Sequence, residues 1–320
     1  FPVTLVLWLL EPTVKAFAIG APDFWAWREG VLDFSVIRKS DDFLESSMTS
    51  THWELASLPQ DKKNRRINSI EQFLQNEFDL QQSVRAQHLS ELGSLYFSVG
   101  NYKKAYFFWN ESLNISKELG DQSRESAILN NLAQVYQVHG DYQTALSYLM
   151  ESLKLKKIIE DKAGESVTLN NLAQIYHAQG DFLAALKCLE DSLSISRKLG
   201  ARFGEATALN NISQVFDAQG DYEKALQYLE KAIAISREIG DRLGEGVMLN
   251  NISNIYQVQG DHNVALKCLE DALKIRQELG DLPGMGATLF NIGHLHFHNQ
   301  NHEKAKQSWI SAYLIAKKIG

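Results

Sequence analysis

His294 and His298 lie four residues apart in the stretch Gly293-His294-Leu295-His296-Phe297-His298, with His302 close behind. On a helix that spacing puts both imidazoles on one face, where they can chelate a metal if further ligands join them. No acidic or cysteine ligand stands beside them, so the competing expectation is a set of surface histidines near a terminal repeat. No metal site is assigned, and no cofactor is expected. Cys188 and Cys268 are the two cysteines, and they are 80 residues apart. They occupy matching places in a repeating pattern, too far apart for a disulfide, and read as reduced packing residues. The chain has no Gly-x-Ser-x-Gly elbow, no His-Glu-x-x-His helix, no Cys-x-x-Cys and no Gly-x-x-x-x-Gly-Lys phosphate loop. The expectation is a protein that is not an enzyme.

Uncharged amides are the more telling residues. At about 100° per residue, Leu209, Ser213 and Phe216 point one way on a helix, and Asn210, Asn211, Gln214 and Asp217 point largely the other. The same places hold Asn130, Asn131, Gln134 and Gln137, then Asn170, Asn171, Gln174 and His177, then Asn250, Asn251, Asn254 and Gln257. An amide offers a donor and an acceptor without charge, which suits the alternating N–H and C=O groups of an extended peptide. The expected binding residues are therefore Asn130, Gln134, Asn170, Gln174 and His177, followed by Asn210, Gln214, Asp217, Asn250, Asn254 and Gln257. One asparagine of each pair is expected to be structural. Replacing Asn170, Asn210 and Asn250 together is expected to abolish binding without unfolding. Segments 86–99, 126–139, 166–179, 206–219, 246–259 and 286–299 contain no Lys or Arg. A groove that clamps a carboxylate or phosphate needs cations, so nucleic acid is not the expected guest. Lys154, Lys156 and Lys157 lie elsewhere and read as a solvated outer face.

These residues are positioned by a period of 40. Gly100, Gly140, Gly180, Gly220 and Gly260 share one column, and Ala105, Ala145, Ala185, Ala225, Ala265 and Ala305 share another. Each unit reads as two helices. In 206–245, Gly220 breaks the first helix, Asp221 caps the second, and Gly240 ends it. Gly120, Gly200 and Gly280 match Gly240, whereas Glu160 departs from the rule. Six units are expected at 86–125, 126–165, 166–205, 206–245, 246–285 and 286–320. The first and last are atypical: Ser90-Glu91 or Phe290-Asn291 replace the asparagine pair, and Trp309 replaces a leucine.

The series Leu209, Ile212, Ser213, Phe216, Ala225, Leu229 and Ala232 resembles the tetratricopeptide repeat (TPR) pattern over 86–320. The period is longer than the usual value of about 34 residues, and the usual proline is missing. It looks like the long-repeat subclass of kinesin light chains, G-protein-signalling adaptors and bacterial multidomain proteins. The resemblance implies an all-α, right-handed superhelical solenoid whose first helices line a concave groove. In related long-repeat families, asparagines at matching places grip peptide main chain.

Residues 1–85 do not fit the frame. Segment 3–10 reads as a buried strand, 31–36 as another, and 1–56 as an incomplete α/β segment, the tail of an upstream domain. Val6 to Leu10 and Ala21 to Arg28 loosely resemble part of an NTPase-like domain. Residues 57–85 read as a connecting, capping helix bearing Ile67, Ile70, Phe73, Leu74 and Phe78. The net charge of -7 argues against nucleic acid or an anionic membrane, and the reduced cysteines suit the cytoplasm. The leading expectation is a scaffold that binds a protein or peptide. The rival is the sensor region of a nucleotide-dependent switch whose catalytic part lies upstream. Homotypic association through the array ends is a third.

Overall fold

The computed structural model describes residues 60–76 and 80–319, and the strands and the α/β segment expected within 1–56 lie outside the described residues. The described residues form thirteen α-helices and no strand. They fall into two compact units that divide between Gly204 and Glu205. The first holds α1 (Gln60–Asn76), α2 (Gln82–Ser98), α3 (Tyr102–Leu119), α4 (Gln122–Val138), α5 (Tyr142–Ile158), α6 (Lys162–Ala178) and α7 (Phe182–Leu199). The second holds α8 (Arg202–Ala218) from Glu205 onward, α9 (Tyr222–Ile239), α10 (Arg242–Gln259), α11 (His262–Leu279), α12 (Leu282–His298) and α13 (His302–Ile319). Each pair starts one turn upstream of the frame read from sequence, because the aspartate before α4, α6 or α10 already caps a helix there.

Side-chain chemistry sets the helix ends. Asp161 accepts from the Gly164 backbone N–H at 2.9 Å and Asp241 from Gly244 at 2.8 Å, satisfying donors that a helix start leaves open. Asp141 and Asp221 do the same for the second helices α5 and α9. At the other end the chain must turn left-handed to bond the last carbonyls, and Gly200 (φ 65°) and Gly240 (φ 73°) do so without a Cβ penalty. Glu160 sits at the same place and adopts φ 56°, so the repeat geometry overrides a residue that disfavours it.

Packing within a repeat depends on small residues. Ala145, Ala185, Ala225 and Ala265 are fully buried, each in the first turn of a second helix. The atypical repeats solve the same contact with a size exchange. Inner repeats pair a buried leucine, such as Leu149 or Leu229, with Ala133 or Ser213. In the first unit Trp109 replaces the leucine and Gly93 the small residue; a Cβ on Gly93 would lie 2.3 Å from the indole. In the second unit Trp309 and Gly293 repeat the exchange, again at 2.3 Å. Each indole N–H donates to a first-helix carbonyl, Trp109 to Ser90 at 3.1 Å and Trp309 to Phe290 at 3.2 Å.

Helix α1 adds Ile67 and Ile70 to the core formed by Leu92, Leu95, Tyr96 and Trp109. Arg66 Nε donates to Glu91 at 2.7 Å, and the Tyr96 hydroxyl donates to Glu71 at 2.6 Å, tying α1 to α2. Lys154 and Lys157 are exposed as expected of an outer face, but Lys156 is buried. Its place holds Ser116 in the preceding repeat, Ser196 in the next and Arg276 in the second unit, all buried. The position lies in the last turn of the second helix, where it is covered by the helix that follows.

Candidate functional site

The paired asparagines are hydrogen-bonded inside the helix packing. In the first unit Asn171 Nδ2 donates to Asn130 Oδ1 at 3.0 Å, linking α6 to α4 across 41 residues. Asn170 Nδ2 donates to Ser192 Oγ at 2.7 Å and to the Ser166 carbonyl at 3.2 Å. In the second unit Asn251 Nδ2 donates to Asn210 Oδ1 at 2.9 Å, and Asn250 Nδ2 to Thr288 Oγ1 at 3.3 Å. Asn130, Asn170, Asn210 and Asn250 are at most 7% exposed. The open face expected for these four is therefore corrected: both asparagines of each inner pair are buried. An inner first helix packs against its own partner helix and against neighbouring repeats, so its covered arc is far wider than one amphipathic stripe. A triple replacement of Asn170, Asn210 and Asn250 would read packing before it read binding.

Gln134 and Gln174 are buried as well. The Oε1 atoms of Gln137 and Gln174 are enclosed yet accept no hydrogen bond from the protein, and the same holds for Asn171 Oδ1. Asn130 Nδ2 is an enclosed donor in the same state. These four atoms belong to α4 and α6, which the Asn171–Asn130 bond holds side by side. Each such atom costs about 1–3 kcal/mol unless something supplies its partner. His177 is partly buried, with its ring 5.7 Å from Phe182.

In the second unit Gln214, Asp217, Asn254 and Gln257 are all partly exposed. The first three meet in a cleft between α8 and α10, with Ser213, Asn251 and Ile255 beside them and Leu229 of α9 behind. The cleft is shallow and opens to solvent. It is far smaller than the roughly 300 Å³ where small-molecule pockets begin. Next to it Phe216 stacks on Tyr228 at 5.5 Å; in the first unit Tyr136 stacks on Tyr148 at 5.4 Å. Sequence reasoning placed Gln137 in the amide column but not among the binding residues. Its shared column with Asp217 and Gln257 was the available signal.

His294 is mostly enclosed, not on the surface: its ring lies 4.9 Å from Phe290 and 5.6 Å from Trp309, and 6.4 Å from His298. Among the described residues no group of three or more His, Cys, Asp or Glu is arranged to hold a metal. Burial, helped by His298, pushes the His294 pKa down to about 4. The unfolded chain takes up this proton near pH 6.5 and the folded chain only near 4, so stability present above 6.5 is lost across that window. The loss is expected to approach about 3 kcal/mol at pH 4. Urea titrations at pH 7 and pH 4.5 should show it, and His294→Phe should flatten the difference. Burial also pushes the Cys188 thiol up to about 11 and raises that of Cys268, which leaves both protonated and weakly nucleophilic.

The tetratricopeptide repeat family model matches residues 84–158, 165–238 and 245–317, more than half of the chain. The chain belongs to the tetratricopeptide repeat family. Repeats of this family are generally non-catalytic scaffolds. Among curated proteins no sequence matches the chain. Among solved structures, BtubC (BKLC) from P. vanneervenii is similar at 24% identity and a TM-score of 0.57, over 67% of this chain and 90% of that one. TPR-like repeats assigned to a kinesin light chain of Podosopora anserina match at 19% identity and 0.51, over 63% and 99%. A signal-transduction ATPase with numerous domains and a tetratricopeptide repeat sensor, from Pyrococcus horikoshii, matches at 16% and 0.62, over 95% of this chain and 47% of that one. At these identities the likeness is one of fold. Among the described residues no helix is long and apolar enough to cross a membrane.

Proposed function

We propose that this TPR protein is a non-catalytic cytoplasmic scaffold that holds an extended polypeptide against its first helices. The observation that carries this reading is the pair of unsatisfied acceptors Gln137 Oε1 and Gln174 Oε1 on α4 and α6, beside the partly exposed Gln137 and His177 side chains. Uncharged amide acceptors on adjacent helices suit the N–H groups of a polypeptide main chain. In the second unit Gln214, Asp217, Asn254 and Gln257 are partly exposed at the corresponding places. The rival expectation, a sensor region of a nucleotide-dependent switch, uses the same face, because a sensor must also hold its ligand. A phosphate-loop motif in the gene upstream of Phe1 would separate the two.

The test combines stability with affinity. Methionine replaces glutamine at nearly constant volume and carries no amide. Gln174→Met should raise unfolding free energy by about 1–2 kcal/mol, since it removes an enclosed acceptor with no partner. It should also weaken, by about fivefold or more, a peptide selected against the wild-type chain from a displayed random library. A variant that is less stable and binds that peptide unchanged would mean the amide serves packing only, and the reading would fail.

A further inference from the structure

Helix α13 (His302–Ile319) buries Ala305 and Ala312 against α12 and turns another face outward. On that outer face Ile310 is 48% exposed and Leu314 58%, with Tyr313 40% exposed at the margin. Single apolar residues are ordinary on a surface, whereas these three cluster within little more than one helical turn. The two preceding repeats carry Glu230 and Glu270 in the column of Ile310, and Ala234 and Lys274 in that of Leu314. All four are exposed although a first helix follows each of those repeats. A further repeat stacked after α13 would therefore leave Ile310 and Leu314 uncovered. Glu303 and Lys317 are exposed seven residues before and seven after Ile310. At about 3.6 residues per turn, that spacing puts both charges on the stripe of Ile310 and Leu314.

We propose that this face docks a second copy of the chain, the two α13 helices packing antiparallel about a two-fold axis at Ile310. Such an axis pairs each residue with the one equally far on the other side of Ile310. Ile310 then meets its own copy, and Leu314 lies under the methylene stem of Lys306 from the other chain. Glu303 stands opposite Lys317 at both ends of the contact. Charge complementarity selects this occupant and its direction, because the stripe is acidic at one end and basic at the other and matches itself when reversed. Parallel helices would set Glu303 beside Glu303 and Lys317 beside Lys317. The first helices take no part, so the inference stands apart from the peptide-holding reading. One helix face falls short of the roughly 800 Å² per partner of a standard interface, so a weak dimer is expected, with a Kd on the order of 10–100 μM.

The experiment is sedimentation velocity of the full chain over about 5–300 μM, a range that brackets the expected Kd. Ile310→Glu and Leu314→Lys place on α13 the residues that Glu270 and Lys274 supply in the preceding repeat. Both should therefore keep the wild-type circular dichroism spectrum and melting curve. Wild type should pass from monomer to dimer across the range, and both variants should stay monomeric throughout. Glu303→Lys and Lys317→Glu should each weaken the dimer by about fivefold or more, since each sets like charges together at two symmetric places. The double variant Glu303→Lys/Lys317→Glu should return to within about twofold of wild type. A wild-type chain that is monomeric at the highest concentration would overturn the inference. So would a dimer that survives Ile310→Glu and Leu314→Lys, or a double reversal that dimerises no better than the single ones.

Discussion

Asn171→Ala is expected to lower the unfolding free energy by about 2–4 kcal/mol, a large effect for one polar side chain. The substitution deletes the 3.0 Å bond from Asn171 Nδ2 to Asn130 Oδ1. Asn130 is fully enclosed, so its oxygen cannot turn to water for a replacement donor. Its Nδ2 already lacks a protein partner, which would leave the whole amide unsatisfied. A cavity where the Asn171 side chain stood adds to the loss. The double variant Asn130→Ala/Asn171→Ala should cost clearly less than the sum of the single changes, because it removes both members of the bond. Urea unfolding followed by circular dichroism measures all three. Strict additivity, with single losses below about 1 kcal/mol, would show that the asparagines do not couple the first helices of successive repeats.

Lys156→Met is expected to move stability the other way. Lys156 is buried among α5 and the start of α6, and burial lowers its pKa to about 8, with the Asp161 charge opposing the shift. Its Nζ donates to the Gly164 carbonyl at 3.1 Å, a single contact for a group with three donors. The unfolded chain binds this proton up to pH 10.5 and the folded chain only up to about 8. Folding is therefore penalised in full below pH 8, and the penalty fades as pH rises towards 10.5. The burial cost is about 3 kcal/mol at neutral pH, less what the lost hydrogen bond and Asp161 contribute. A net gain of about 1–3 kcal/mol is expected at pH 7, in line with other buried charges replaced by apolar residues of similar volume. The wild-type chain should gain stability between pH 8 and 10 and the variant should not. A variant that is destabilised at pH 7 and keeps the wild-type pH profile would contradict the assignment.

The repeat architecture was legible because one 40-residue period fixes several kinds of residue at once. Asp141, Asp161, Asp221 and Asp241 cap helices, Gly200 and Gly240 turn left-handed, and Ala145 and Ala225 let helices approach. Each of these acts within a few residues of its own position, which is the range that sequence pattern reports well. The candidate site was less legible because it depends on neighbours from other repeats. A wheel drawn for one helix shows Asn130 opposite the apolar stripe, yet that face of α4 meets α6, and Asn171 finds it there. Lys156 was misplaced for the same reason: on its own helix it belongs with Lys154 and Lys157, and only the fold of the next helix encloses it. Gln214 is partly exposed whereas Gln134 and Gln174 in the same column are buried, so the place on one helix does not decide exposure and the neighbouring repeats do.

The most direct test of the binding face follows the side-chain amide groups themselves. A peptide selected on the wild-type chain is titrated into the ¹⁵N-labelled protein, and the Nε2 resonances of Gln137 and Gln174 are monitored. If these amides receive a polypeptide guest, their signals shift together with the binding isotherm and their hydrogen exchange slows. Signals that stay fixed while resonances of α3, α5 or the terminal helix move would place the guest elsewhere and contradict the account.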